Sequence, residues 1–389
     1  MRRRDSSSTQ QSTIDRRRFL AATGVSVAGI SGLAGCLGET GDSAPIADVD
    51  PLSQAVSSTA VSWDDLGDLE GEINIYNGRT PDQIDPVFDA LETEYDGLTI
   101  NTDDDDTDVH VNQILEEQTH PADLMYSQDP GALNELYNND VLQPLPDDVV
   151  DAVPSSYQHN DGYWTGVTGR TRSIQYNSDR LDETPFDSWD ELPTDISEYA
   201  HDDRFEDIIS TRPNSGTFRG FIQAMVELEG EPETREWVEA IADDQNAQTF
   251  ESGGNQAEAV NRGGNDDPIV ALGNSYYAAR ILNEDPDAPI RTTYTENDAG
   301  CLFSVAGVGV LNDVNDAELV AEFVRHLLAE EGQEFMMDAN GEYPVVEGVD
   351  YVGPLPDLEE INPPEFDLSD FDMELQEAGD LIDEHGLGV

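Results

Sequence analysis

The stretch Pro268-Ile269-Val270-Ala271-Leu272-Gly273-Asn274-Ser275-Tyr276-Tyr277 decides the fold. Its first half is a continuous apolar run, the pattern of a strand buried on both faces. Gly273, Asn274 and Ser275 break that run and open a helix that begins with two tyrosines. A buried strand feeding a helix is one step of an α/β sheet, and such sheets bind ligands at the carboxyl ends of their strands. Successive helical side chains lie about 100° apart, so Tyr276 and Tyr277 can flank one point at the helix start. Phenolate oxygens are hard donors, suited to a hard trivalent ion such as ferric iron. The pair by itself reads first as two aromatics packed in a core; its place at the end of a buried strand marks it as a candidate ligand pair.

Working outward, strands and helices alternate. Glu72 to Tyr76 reads as a first strand with a turn at Asn77-Gly78, and Pro81 to Tyr95 has helical apolar spacing at Ile84, Val87, Phe88 and Leu91. Leu98 to Ile100, Ala122 to Tyr126 and Leu302 to Leu311 read as further strands; Val109 to Gln118, Pro130 to Asn138, Phe218 to Glu229, Leu319 to Met337 and Met373 to Glu384 read as helices. The alternation predicts a mostly parallel α/β sheet. Four carboxylates in a row, Asp103 to Asp106, lack the ligand spacing and glycine turn of a calcium loop and read as a solvated loop.

Two other stretches carry chemistry. Asn214-Ser215-Gly216-Thr217 offers hydroxyls and free amides at a helix start, which suits an anion as well as ordinary capping by Ser215. Gly169-Arg170-Thr171-Arg172 places two guanidiniums close together, able to hold an anion or to pin surface carboxylates. The six histidines are scattered, and no Ser/His/Asp or Cys/His constellation and no nucleotide-binding glycine motif is present, so an enzyme is a remote alternative.

Composition excludes several classes. The 389 residues include 84 acidic and 18 basic side chains, a formal charge of −66, and every basic residue is arginine. This field repels nucleic acid. It resembles the surface of proteins from extreme halophiles, where molar salt shortens the Debye length to about 3 Å and screens self-repulsion; folding is therefore expected to need high salt. Hydrophobic residues make up 37% of the chain, too few for an integral membrane protein. Two cysteines, Cys36 and Cys301, exclude a disulfide scaffold and a Cys-rich metal site. Cys301, at the head of an apolar strand, reads as a buried free thiol.

The N-terminus reads as an address. Arg16-Arg17-Arg18 precedes an uncharged, glycine-containing run from Phe19 to Gly35 that is too short for a good membrane span. It resembles a twin-arginine export signal, and Leu33-Ala34-Gly35-Cys36 resembles a lipoprotein cleavage box in which Cys36 takes the lipid. Residues 1–35 are thus expected to be a signal. Residues 36–70, rich in Gly, Ser, Asp, Thr and Ala, are expected to be a flexible acidic tether with a reach of about 30 Å. The mature protein is expected to be lipid-anchored on the outer face of the cell membrane.

Six pieces in order resemble one family, the ferric-iron-binding proteins of ABC importers within the two-lobed solute-binding superfamily: Ile75-Tyr76-Asn77-Gly78, Pro121 to Ser127, Thr168 to Arg172, Ser215-Gly216, Asn274 to Tyr277, and Glu342-Tyr343-Pro344. The resemblance runs from Glu72 to about Asp350. It implies a type II periplasmic-binding-protein-like α/β fold with a ligand cleft between lobe 1 (72–170 plus 300–350) and lobe 2 (171–299 plus 351–389). It implies Tyr276 and Tyr277 as ferric ligands and a synergistic anion held by Ser215, Gly216, Thr217 and Asn274 with Arg170. Gln128 and Thr80 would then approach from the other lobe. It further implies a permease and its ATPase as partners, and a monomer. The pattern is incomplete. Thr80 stands where the best-known branch has His, Gln128 where it has Glu, and Phe218 nearest to where other branches add a Tyr. A bidentate anion, waters or a chelate would supply the missing ferric ligands. The alternative is the same fold holding a non-metal anionic or small organic solute, such as a phosphonate, a carboxylate or a thiamine-like molecule.

Overall fold

A computed structural model describes residues 45–56, 61–117, 119–368, 373 and 375–388. The arginine run, the apolar run after it and Cys36 lie outside the described residues. Eleven strands appear among them: β1 (Gly71–Asn77), β2 (Leu98–Asp104), β3 (Leu124–Ser127), β4 (Leu142–Gln143), β5 (Trp164–Asn177), β6 (Ile209–Thr211), β7 (Gln248–Thr249), β8 (Val270–Asn274), β9 (Ile290–Thr293), β10 (Phe303–Leu311) and β11 (Tyr343–Pro344). Their order is β2-β1-β3-β10-β5-β8-β6-β7, with β4 on β10 and with β9 and β11 on β5.

The sheet is mixed, not mostly parallel. β1 runs parallel to β2 and β3, and β6 runs parallel to β7 and β8. β5 and β10 run against their neighbours. The reason lies in β5. It is one continuous strand of 14 residues, and its two halves serve different neighbours. Gly169 pairs with Val305 and Tyr343, whereas Arg172 to Tyr176 pair with Asn274 to Val270. Two hydrophobic cores follow the same division. One includes Ile73, Leu124, Trp164, Val167 and Val308; the other includes Ile174, Phe218, Phe221, Trp237 and Leu272. Helix Gly216–Glu229 follows β6 after a short loop and helix Ser275–Glu284 starts where β8 ends, which brings the Ser215-Gly216 loop and the tyrosine pair to one edge.

Three expectations are corrected. Residues 45–56 and 61–70 are not a free tether: Ile46, Val56, Val61, Trp63, Leu66 and Leu69 are all buried in the first core. The segment is pinned by polar groups as well. Gly67 N–H donates to Glu322 Oε1 at 2.7 Å, Trp63 Nε1 to the His326 carbonyl at 2.9 Å, and Arg325 Nη2 to the Val49 carbonyl at 3.0 Å. Its polar composition concealed a few anchoring apolar side chains. The long helix expected from Leu319 to Met337 is two helices, Ala317–Leu328 and Glu330–Asn340, broken at Ala329 with ψ 163°. The same segment supports the break, since Glu330 N–H donates to the Val61 carbonyl at 2.9 Å. The tail is shared between the cores: Leu355, Ile361, Leu368 and Leu375 join the first, and Ala378, Leu381 and Ile382 join the second.

Trp63 tests this packing. Trp63→Ala should destabilise the protein by about 3–5 kcal/mol, the usual loss for a buried large aromatic. Urea unfolding at constant salt measures it; a change below about 0.5 kcal/mol is the surface value and would restore the tether reading.

Candidate ligand cleft

A cleft of about 740 Å³ opens where the loops of the two cores face each other. Thr80, Gln128 and the acidic stretch Asp104 to Asp108 line it from the first core's side; Arg212, Ser215, Gly216, Glu251, Ser252 and Tyr277 line it from the second. A Cβ on Gly216 would meet nothing within 4 Å, so the start of that helix faces open space. Ser215 caps the helix by accepting from Phe218 N–H at 3.2 Å.

Tyr277 is the tyrosine on the cleft surface. Tyr276 is buried behind it at 2% exposure, their ring centroids 4.2 Å apart. Burial pushes the Tyr277 phenol well above its ordinary value, the adjoining Tyr276 adds to this, and Arg212 and Arg170 pull the other way. The ring lies on the start of helix Gly253–Arg262, where a Cβ on Gly253 would stand 2.2 Å from Tyr277 Cε2. Only glycine allows that approach. Gly253→Ala should therefore displace the ring and weaken any ligand that Tyr277 holds by roughly 10–100-fold, the range for groups that orient a metal ligand. Titration of the variant measures the loss, and parental affinity would show that the ring position is unimportant.

Not all expected site residues reach the open cleft. Thr217, Asn274 and Arg170 line a separate small cavity of about 10 Å³, the size of one water, together with Asp129 and Arg172. Asn274 Nδ2 donates to Thr217 Oγ1 at 3.1 Å. Arg170 Nη2 lies 3.8 Å from Asp129 Oδ2, both groups buried. Burial pushes the Asp129 carboxyl up to about 6 against the pull of Arg170. Arg172 lies over the Phe221 ring at 4.5 Å and donates to the Leu272 carbonyl at 3.2 Å; burial, with Arg170 beside it, lowers it to about 9. The two conspicuous arginines are thus engaged inside the protein, Arg170 by Asp129 and Arg172 by the second core. Thr80 and Gln128 do line the cleft, and Gln128 Nε2 donates to Gln83 Oε1 at 3.3 Å.

The sequence reading missed Arg79. Its guanidinium is buried, with Nη2 donating to both Glu342 oxygens at 2.8 and 2.9 Å and Nη1 to Thr168 Oγ1 at 3.2 Å. Asn77 holds the same loop, its Oδ1 accepting from Arg79 N–H at 3.0 Å. Three stretches far apart in the sequence, around Asn77, Thr168 and Glu342, therefore meet in one buried knot that sets the loop carrying Thr80. Histidines 110, 159 and 326 are also buried.

The model of one family, bacterial extracellular solute-binding protein, matches residues 119–368. The chain belongs to that family. Among relatives of this family member, the iron uptake protein A2 of Synechocystis sp. is 26% identical over 291 residues, 71% of this chain and 79% of that protein. The major ferric iron-binding protein of Neisseria meningitidis is 26% identical over 283 residues, 70% of this chain and 81% of that protein. The crystal structure of iron-bound HitA from Pseudomonas aeruginosa superposes with a TM-score of 0.73 at 25% identity, covering 81% of this chain and 99% of that one. The two-lobed α/β solute-binding fold follows from these matches together with the two cores.

Proposed function

We propose that this solute-binding protein captures ferric iron and delivers it to the permease of an ABC importer. The observation that carries this reading is Tyr277, backed by Tyr276, at the lip of a cleft between two cores. The names of the iron-related relatives support it. Tyr276 and Tyr277 supply hard phenolate oxygens, and Ser215 and Gly216 stand beside them for an accompanying anion. The protein works by binding and release, not by turnover.

Loading the purified protein with ferric salt should give a visible band, because ferric phenolate absorbs by charge transfer. A colourless protein would overturn the ferric reading in favour of an organic solute. The export route and anchor belong to the same proposal: a twin-arginine signal ending at Gly35, lipid on Cys36, an outer-face location and a halophilic setting, resting on the arginine run, the Leu-Ala-Gly-Cys box and the charge of −66. Cys36→Ser should release the protein to the medium or leave the signal uncleaved; normal cleavage with unchanged membrane fractionation would count against the lipid.

A further inference from the structure

Arg170 and Arg172 leave one buried charge unanswered. They stand two apart on β5, so their side chains point to the same side of the strand. Strand register adds two polar residues there: Arg170 pairs with Ser304 of β10, and Arg172 with Asn274 of β8. Directly paired residues share a face. All four line the small cavity of about 10 Å³. Asp129, at the head of helix Pro130–Asn138, borders it as well, with Thr217, Gly220 and Phe221 of helix Gly216–Glu229.

Arg170 is 4% exposed and Arg172 7%. Among the described residues the Arg170 guanidinium makes no hydrogen bond. Its ion pair, Nη2 to Asp129 Oδ2, spans 3.8 Å, beyond hydrogen-bond reach. Arg172 has no carboxylate partner among them; it donates to the Leu272 carbonyl and lies over the Phe218 and Phe221 rings at 5.4 and 4.5 Å. Two guanidiniums against one carboxylate leave one positive charge over, and a buried charge is costly unless it is paired. The strain is felt at Arg172, which burial and the like charge of Arg170 lower to about 9.

The space selects the counter-ion. A volume of about 10 Å³ admits one water-sized body. A monatomic halide fits it; a branched oxyanion such as carbonate or phosphate does not. Ser215, Gly216 and Tyr277 line the open cleft and not this cavity, so its occupant is distinct from an anion that accompanies iron in the cleft.

We propose that the cavity binds one halide ion, chloride in a chloride medium, between the Arg170 and Arg172 guanidiniums, with Ser304 and Asn274 as neutral donors from the flanking strands. The ion is a structural counter-charge where the two cores meet. Helix Pro130–Asn138 belongs to the first through Leu133 and Leu136, and helix Gly216–Glu229 to the second through Phe218 and Phe221. It binds with or without iron.

Bromide is the crystallographic probe. Crystals of the iron-free protein grown in sodium bromide should show an anomalous peak between the two guanidiniums. In solution, total ionic strength is held constant with gluconate in place of chloride. The folding equilibrium constant should then rise about tenfold for each tenfold of chloride above half-saturation, the linkage of a single site. Arg170→Met should lose both the peak and the chloride response; if that variant does not fold, the peak and the response of the parent decide. Water in place of the halide, a peak only beside Ser215 and Gly216, a flat chloride response, or an equal response in Arg170→Met would overturn the inference. Every readout is made without iron, so none of these outcomes bears on the ferric reading.

Discussion

Tyr277→Phe should abolish most of the visible band of the iron-loaded protein and weaken ferric binding by more than about a hundredfold, because removing a metal ligand exceeds the 10–100-fold cost of disturbing its supports. The substitution is a clean probe. Phe keeps the ring that packs on Gly253 and against Tyr276 at 4.2 Å, and removes only the oxygen. Tyr276→Phe should act in the same direction, with the fold intact in both variants by circular dichroism. Gln128→Glu should act oppositely, since it adds a charged oxygen donor at a position that already lines the cleft. Competition against a coloured ferric chelator gives all three affinities. If both Phe variants bind iron like the parent, the tyrosines are packing residues and the ferric reading fails.

The second large effect falls on stability. Glu342→Gln should destabilise the protein by about 3–5 kcal/mol, the usual result of leaving one member of a buried ion pair without its partner. Arg79 and Glu342 side chains are 1% and 2% exposed, so neither charge can find water in place of the other. Burial alone would lower the Arg79 pKa, and the Glu342 carboxylate at 2.8 and 2.9 Å pulls it the other way, above its ordinary value. The paired replacement Arg79→Met with Glu342→Met should lose markedly less, because it removes both desolvation penalties together. Urea unfolding in constant high salt measures the set; equal losses for the single and double variants would show that shape, not charge, governs the site.

The strand from Val270 to Asn274 and the helix after it were legible because a buried strand leaves a local apolar signature. So were the first strand and its helix, where the spacing of Ile84, Val87, Phe88 and Leu91 is local too. The mixed direction of the sheet was not, since nothing within Trp164 to Asn177 states which neighbours each half will pair with. The break at Ala329 was hidden for a similar reason: the partner that receives the freed backbone groups lies more than 250 residues earlier, in Val61 to Trp63. At the site, the tyrosine pair and the Ser215 cap announced themselves by residue type and position. Arg79 did not. Its partner Glu342 is 263 positions away, and a lone arginine beside an Asn-Gly turn carries no sign of it. Gly253 was equally silent, because a glycine needed for a close approach to a distant ring looks like any loop glycine.

The single strand from Trp164 to Asn177 also determines how the molecule comes apart. Its first half is hydrogen-bonded into the sheet of one core and its second half into the sheet of the other. Melting either core therefore frays a strand on which the remaining one depends. Calorimetry at high salt should show one endotherm, with van't Hoff and measured enthalpies in agreement, where two independently folded lobes on a slack linker would give two. The shared strand makes the halves one thermodynamic unit.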